Sequence, residues 1–408
     1  MKNLNTTFCF LCISTLVYSQ QTDPILASLT PIQKPAPMTG EIIKEDEKKE
    51  EVKPTFTLSG SVDTYFHSTF KNSNAYYGDA YAPSTSFADQ KGFALGMVNL
   101  IATYAGEKAG FTGDLVFGPR GQAAVFGTAS GQAIINQAFV FYKFSDKITL
   151  NMGQFNTFVG YEVISPTVNF HYSTSYLFSW GPFNHTGARL DFALSNGIVL
   201  KAAVMNPTDI VEFNPVNTYT LGAQVGKVSD KGGVWLNFLF GDQDGTLDKN
   251  SAAPLDASAG NLLQGDITLG YSLTEKFYLG FNASMQSVAT GEEVDTNGDI
   301  IDTTGDPSSF YGFAVYPKVT LSDAFAIGLR AEYFSTTNSH FADPIIGVDS
   351  NGDGSVMEFT LSANYKTGGL TFIPEFRIDK TSEDSYVSNS GEAKNLLPSI
   401  NLAAVYKF

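Results

Sequence analysis

The side chains of this 408-residue chain that come closest to a nucleophilic constellation are His171, Ser173 and Asn184. A hydroxyl becomes a nucleophile when a base lies within hydrogen-bond reach and a third group orients that base. Residues two apart on a strand share a face, so His171 and Ser173 meet the first geometric condition. Serine is abundant in this sequence, however, and no pattern of an oxyanion hole surrounds the pair. A hydrogen-bonded structural histidine explains His171 more simply. His67 and His340 fall at strand–loop edges, and the two cysteines, Cys9 and Cys12, lie in the apolar N-terminal segment. No cysteine follows them, which excludes a thiolate metal site or thiol nucleophile from the rest of the chain.

Oxygen ligands give a second candidate. Asp349, Asn351 and Asp353, with Gly354 after them, have the alternating spacing of the first half of a calcium loop. The second half fails, because Thr360 occupies the twelfth position and Glu358 comes two residues early. Asp295, Asn297 and Asp299 repeat the spacing without the glycine in its place. The expectation is therefore Ca2+ at an outer loop or, alternatively, a solvated acidic turn, and no other cofactor.

The composition narrows the setting for either chemistry. Charged residues make up 16%, aromatics 13%, and there are 33 Phe, 19 Tyr and 38 Gly. Ordinary globular domains carry roughly a quarter charged residues. A mean hydropathy of −0.04 excludes a bundle of membrane-spanning helices. It suits a wall whose lipid-facing and lumen-facing residues alternate and cancel. A net charge of −16 argues against nucleic acid as a partner. Lys2, the apolar stretch 8–17 and Val17-Tyr18-Ser19 before Gln20 read as an export signal over 1–19. Residues 20–53, Pro-rich and then charged, read as a solvated periplasmic linker, which leaves 54–408 for the fold.

From Thr55 onward the pattern has period two. Phe56, Leu58 and Val62 alternate with Thr57, Ser59, Ser61 and Asp63. Runs containing Leu190, Leu200, Ile267, Leu329 and Phe376 behave likewise, which puts those five residues on the apolar face. A soluble sandwich also alternates, so the connections decide. Short turns near 106–109, 145–147, 195–197, 229–232, 274–276, 322–323 and 367–369 take turns with long segments. The long ones lie near 67–92, 118–131, 156–184, 206–216, 241–261, 288–308, 336–354 and 381–396. That order predicts an all-β, antiparallel, up-and-down transmembrane barrel of about sixteen strands, with short periplasmic turns and long outer loops. Ile400, Leu402, Ala404, Tyr406 and Phe408 then alternate to a terminal aromatic. This ending resembles the signal read by the outer-membrane barrel assembly machinery.

The stretch 153–189 is the most distinctive. Gly160-Tyr161-Glu162, the aromatic–serine run 169–178, and Pro182 followed by His185-Thr186-Gly187 resemble the OmpL-like family of β-barrel porins. The resemblance implies an outer-membrane location and a general porin, but neither a solute nor proven functional residues. Read from the residues, the third long loop carries Tyr161, Phe170, Tyr172, Tyr176, Phe178, Trp180 and Phe183 and little charge. Burying so many rings by folding into the lumen would make it a constriction, with Tyr161, Glu162, His171, Tyr172 and Trp180 near the narrowest section. An external cap or a contact between subunits is the other way to bury them.

On the lumen face the expected charges are Arg189, Asp191, Lys201, Asp266, Lys318, Arg330, Glu332, Glu375 and Arg377. Mixed signs suit a hydrated channel wall, or else ion pairs within a closed interior. The reading that follows is a non-enzymatic porin for small hydrophilic solutes or ions, set in outer-membrane lipid, with a homo-oligomer open. Its rivals are a barrel enzyme acting on lipid and a structural or adhesion barrel with a blocked lumen.

Overall fold

The computed structural model describes residues 54–70, 72–73, 87–125, 134–216, 218–243, 260–294, 300–302, 306–339, 346–388 and 390–408. The expected export signal, the linker, His340 and the Asp295–Asp299 spacing lie outside them.

Sixteen antiparallel strands close into one barrel. In chain order they are β1 (Thr55–Thr69), β2 (Gly92–Ala105), β3 (Ala109–Phe117), β4 (Ile135–Ser145), β5 (Ile148–Asn156), β6 (Asn184–Ala193), β7 (Ile198–Met205) and β8 (Thr220–Ser229). The second half comprises β9 (Gly232–Asp242), β10 (Asn261–Ser272), β11 (Phe277–Val288), β12 (Ser308–Ser322), β13 (Phe325–Thr337), β14 (Gly354–Thr367), β15 (Leu370–Thr381) and β16 (Leu396–Lys407). Each pairs with its sequence neighbours, and β1 pairs with β16 from Ser61↔Lys407 to Thr69↔Ser399. Closure leaves no open edge, which a sheet in hydrocarbon requires because lipid cannot satisfy backbone groups.

Alternation sets the two faces of the wall. Leu361 is 50% exposed on the outside, while its neighbours Thr360 and Ser362 are 0% exposed on the inside. Phe56, Leu58, Phe372, Phe376, Leu402 and Tyr406 are exposed on the same outer face. Leu190, Leu200, Ile267 and Leu329 share it, half-buried between their neighbours. The expected facing of these positions agrees with the strand register throughout.

The connections alternate strictly between short and long. β2–β3, β4–β5, β6–β7, β8–β9, β10–β11, β12–β13 and β14–β15 are joined by tight turns at one rim. The longer connections all begin and end at the other rim. In the β6–β7 turn Asn196 and Gly197 both take positive φ, 60° and 71°, as the tightest hairpin turns require. A Cβ at Gly197 would stand 2.1 Å from the Val228 carbonyl oxygen, so glycine is needed twice over. Gly60 N–H donates to the Phe408 carbonyl (3.1 Å) and Phe408 N–H returns to Gly60 (3.0 Å), which ties the last residue to the short-turn rim.

Candidate functional site

Residues 157–183, between β5 and β6, run inside the barrel. Their hydrogen-bond and ring partners are inward-facing side chains of strands on nearly every side. The loop backbone, rather than its side chains, makes most of the ionic contacts. It carries α2 (Tyr176–Trp180), one short turn of helix whose N-cap Ser175 accepts from Phe178 N–H. The segment after β3 contributes α1 (Pro119–Ala124), which places Arg120 against the loop.

The first half of the loop packs on rings. Phe158 and Val159 join Phe139, Phe141, Phe155, Met205 and Leu239 in a buried cluster. Gln224 Nε2 donates to the Phe158 carbonyl (3.1 Å), and Gly160 N–H donates to Asp266 Oδ1 (3.2 Å). Asp266 also accepts from Asn237 (2.7 Å) and Asn282 (2.7 Å) on the flanking strands. The tip then descends toward the short-turn rim. Tyr161 stacks on Tyr316 with ring centroids 4.1 Å apart, and its hydroxyl donates to Tyr278 (3.2 Å).

The second half sits on charge. Arg330 Nη1 reaches Glu162 Oε1 and the Ser173 carbonyl, both at 2.7 Å, while its Nε donates to Glu358 (2.9 Å). Arg377 donates to the Thr174 carbonyl and to Asp379, both at 2.8 Å. Tyr172 N–H donates to Glu375 (2.9 Å), and the N–H groups of Tyr176 and Leu177 donate to Glu332 (2.8 and 2.7 Å). From β1, two strands from β15, Asp63 accepts from Tyr172 Oη (2.6 Å), and Arg120 on α1 donates to the carbonyls of Ile164 (2.9 Å) and Tyr172 (3.1 Å). Trp180 meets Phe310 and Phe334 at the outer end. Hydrogen bonds to charged groups are worth about 1.5–3 kcal/mol each, so these anchors fix the loop's position.

Two small residues make room for the tip. A Cβ at Gly280 would lie 2.1 Å from the Tyr161 hydroxyl, and one at Gly328 2.4 Å from the Phe170 ring.

The structure separates the expected lumen-facing charges into two groups. Arg330, Arg377, Glu332, Glu375 and Asp266 point inward but are buried, at 6% exposure or less, because the loop covers them. For these five the expectation of a hydrated wall is corrected: a loop backbone stands where water was expected. Arg189, Asp191 and Lys201 form a separate cluster on β6 and β7, with Asp191 accepting from Arg189 (2.9 Å) and Lys201 (3.3 Å). Asp191 keeps 16% of its side chain exposed and Lys201 keeps 10%. Lys318 lies apart from both groups, 4.5 Å from the Tyr278 ring and 5.6 Å from that of Phe170.

The other candidates are accounted for individually. His171 Nδ1 bonds Ser362 Oγ (2.8 Å), Ser173 lies on Arg330 and Glu375, and Asn184 donates to the Ala124 carbonyl (3.1 Å). The three residues are therefore not brought together. Asp349 accepts from the N–H groups of Asn351 (2.8 Å) and Asp353 (3.0 Å), which hold its carboxyl below the usual range. Asp353 in turn accepts from Asn338 N–H (2.9 Å). Asp349, Asn351 and Asp353 thus lie together in one self-capped turn. Among the described residues no group of three or more His, Cys, Asp or Glu is placed to hold a metal.

Glu358, Asp379, Asp63 and Arg120 carry the anchorage but were not singled out from the sequence. Asp379 was in reach, since it shares a face with Arg377 two residues away, and Glu358 alternates with Thr360 and Ser362. Arg120 stands in a segment without periodicity and gave no signal.

A closed antiparallel barrel with a long loop anchored across its interior defines the class of outer-membrane porins. The chain belongs to the family described as "Putative beta-barrel porin-2, OmpL-like", which matches residues 55–408. No curated protein matches the sequence significantly. Among solved structures it is similar to the outer membrane channel DcaP of Acinetobacter baumannii, with TM-score 0.56 and 12% identity over 87% of this chain and 97% of that one. An anion-selective porin from Comamonas acidovorans gives TM-score 0.55 and 10% identity, over 87% and 100%. The trimer form of OmpT from Vibrio cholerae gives 0.50 and 10%, over 87% and 99%. At such identities the likeness shows the fold alone.

Proposed function

We propose that this outer-membrane barrel is a passive diffusion channel for small hydrophilic solutes or ions, with residues 157–183 as its constriction. The observation that carries the reading is the anchorage of that loop, which meets Arg330, Arg377, Glu332, Glu375, Asp63 and Asp266 across the lumen. A loop held from several sides leaves a narrow path of fixed shape. Asp191 and Lys201, which keep solvent contact, border that path. Export through the 1–19 signal, assembly through the Phe408 ending and association into a homo-oligomer complete the proposal. The trimeric relative of this fold supports the last of these.

Single-channel recording tests it. The intact protein should give a small, steady conductance in a planar bilayer. Deleting 165–180, with the barrel still folded, should raise it several-fold. Silence from the intact protein would favour a blocked barrel, and an unchanged conductance after deletion would make the loop a cap.

A further inference from the structure

The underside of the loop tip forms a cleft, open on one side, near the short-turn rim. Tyr161, Phe170, Tyr278, Tyr316 and Pro317 form most of its wall. Its depth follows from the register: Tyr278 pairs with Lys318 only one residue inside the start of β11. Most polar groups of the lining are already committed, but the buried Tyr316 hydroxyl and the Lys318 ammonium are not. Glu162 is held by Arg330 (2.7 Å) and Ser175 N–H (2.6 Å), Asn169 spans the backbone of Val163, and His171 bonds Ser362. Among the described residues the Lys318 ammonium has no hydrogen-bond or ion-pair partner and lies over the Tyr278 and Phe170 rings.

We infer that this pocket binds a small carboxylate with a ring-bearing body, its carboxylate on Lys318 and its ring between the aromatic walls. A neutral sugar would stack on the same rings, but it needs several uncommitted donors and acceptors, and the lining offers one cation and one hydroxyl instead. A cation in partly apolar surroundings gains strongly from a carboxylate partner, since a charge-assisted hydrogen bond is roughly twice as strong as a neutral one. The rings supply the remaining contact by stacking. The inference rests on the channel reading only in that solutes must reach the pocket from the short-turn side.

Binding of benzoate to the full-length protein in nanodiscs, followed by calorimetry, tests the inference. Benzyl alcohol and glucose serve as neutral probes, and Lys231→Met, in an exposed turn, as the control variant. Saturable benzoate binding is expected, at least tenfold tighter than benzyl alcohol or glucose. Lys318→Met should weaken it at least tenfold, Lys231→Met should leave it unchanged, and Phe170→Leu should weaken it without altering the preference for charge. Should Lys318→Met fail to fold, Lys318→Gln takes its place, with the barrel verified by circular dichroism. Absence of saturable benzoate binding, equal binding by the Lys318 variant, or tighter binding of glucose would overturn the inference. Conductance is measured separately. A conducting protein that ignores benzoate overturns the pocket alone, and a silent protein that binds it overturns the channel alone.

Discussion

The two walls that grip residues 157–183 do so by different physics. On the side of β4–β9 the loop entry is packed among Phe139, Phe141, Phe155, Met205 and Leu239. On the side of β13–β15 its backbone lies on Arg330, Glu332, Glu375 and Arg377. Rings supply burial energy, roughly 1.5–3 kcal/mol for each apolar side chain removed from water, but little directional preference. Guanidinium and carboxylate groups contribute less net energy after desolvation, yet they fix individual N–H and C=O groups in place. The apolar wall keeps the loop inside, and the ionic wall determines where inside.

The largest effect expected from breaking this division is at Arg330. Replacing it with Met leaves Glu162 and Glu358 buried without their shared cation, and uncompensated buried charge costs about 3–5 kcal/mol. Reversible unfolding in lipid should show that loss. Single-channel recordings should become noisy and larger, because the loop then loses its register. A stable, quiet Arg330→Met channel would mean that the rings alone position the loop.

Phe158 tests the opposite wall. Truncation to Ala should cost about 3 kcal/mol through the cavity it leaves. The ionic anchors stay in place, so ion selectivity should hold while stability falls. A selectivity change as large as that of the Arg330 variant would erase the distinction between the walls.

The outer face provides the comparison with lipid. Leu329→Arg puts a charge into hydrocarbon and should cost about 2 kcal/mol, whereas Thr371→Arg, half-buried near the short-turn rim, should cost little. Gln264 is not the tolerant position that its place on the inward face suggests. It is buried at 1% exposure and donates to Ser284 (3.3 Å), so an arginine there has no room. Equal costs at Leu329 and Thr371 would contradict the facing.

These positions also mark how far the sequence could be read. Alternation assigns each strand residue to one of two faces, and turn residues locate the rims, so strand number and loop order were legible. Alternation is silent about what lies opposite an inward side chain across the lumen. Arg330, Glu332, Glu375 and Arg377 could be read as facing water or as pairing in a closed interior, because the loop backbone groups that meet them have no signature in residue type. The clustering of seven rings in one connection was legible as a need for burial. Its partners, Arg120 and Asp63 among them, are set by three-dimensional closure. The Asp349 turn shows the converse, since its spacing fits a calcium loop and an Asx turn equally, and hydrogen bonds within the turn suit both.

The smallest expected effect concerns the loop's exit, where the apolar wall includes one acid. Asp209, at positive φ (61°) in the connection after β7, accepts from the N–H groups of Phe183 (2.9 Å) and Asn184 (2.8 Å). Glu162, Glu358 and Asp379 pair with guanidinium groups, whereas Asp209 has no basic partner among the described residues. Burial therefore pushes its carboxyl up to about 7, and the two N–H groups only partly offset that. The sign follows from linkage. With the folded value above the unfolded 3.8, the folded state holds the proton more tightly between these limits, and stability falls as pH rises from about 4 to 7. Asp209→Asn keeps an oxygen for both N–H groups and carries no charge. Its urea midpoint should match the wild type near pH 4 and lie above it at pH 8, with the gap opening through that window. A constant gap from pH 4 to 8 would mean that Asp209 is already ionised throughout. The loop exit would then be held in the same way as the ionic wall, by charge-assisted bonds, and the contrast between the two walls would end at residue 183.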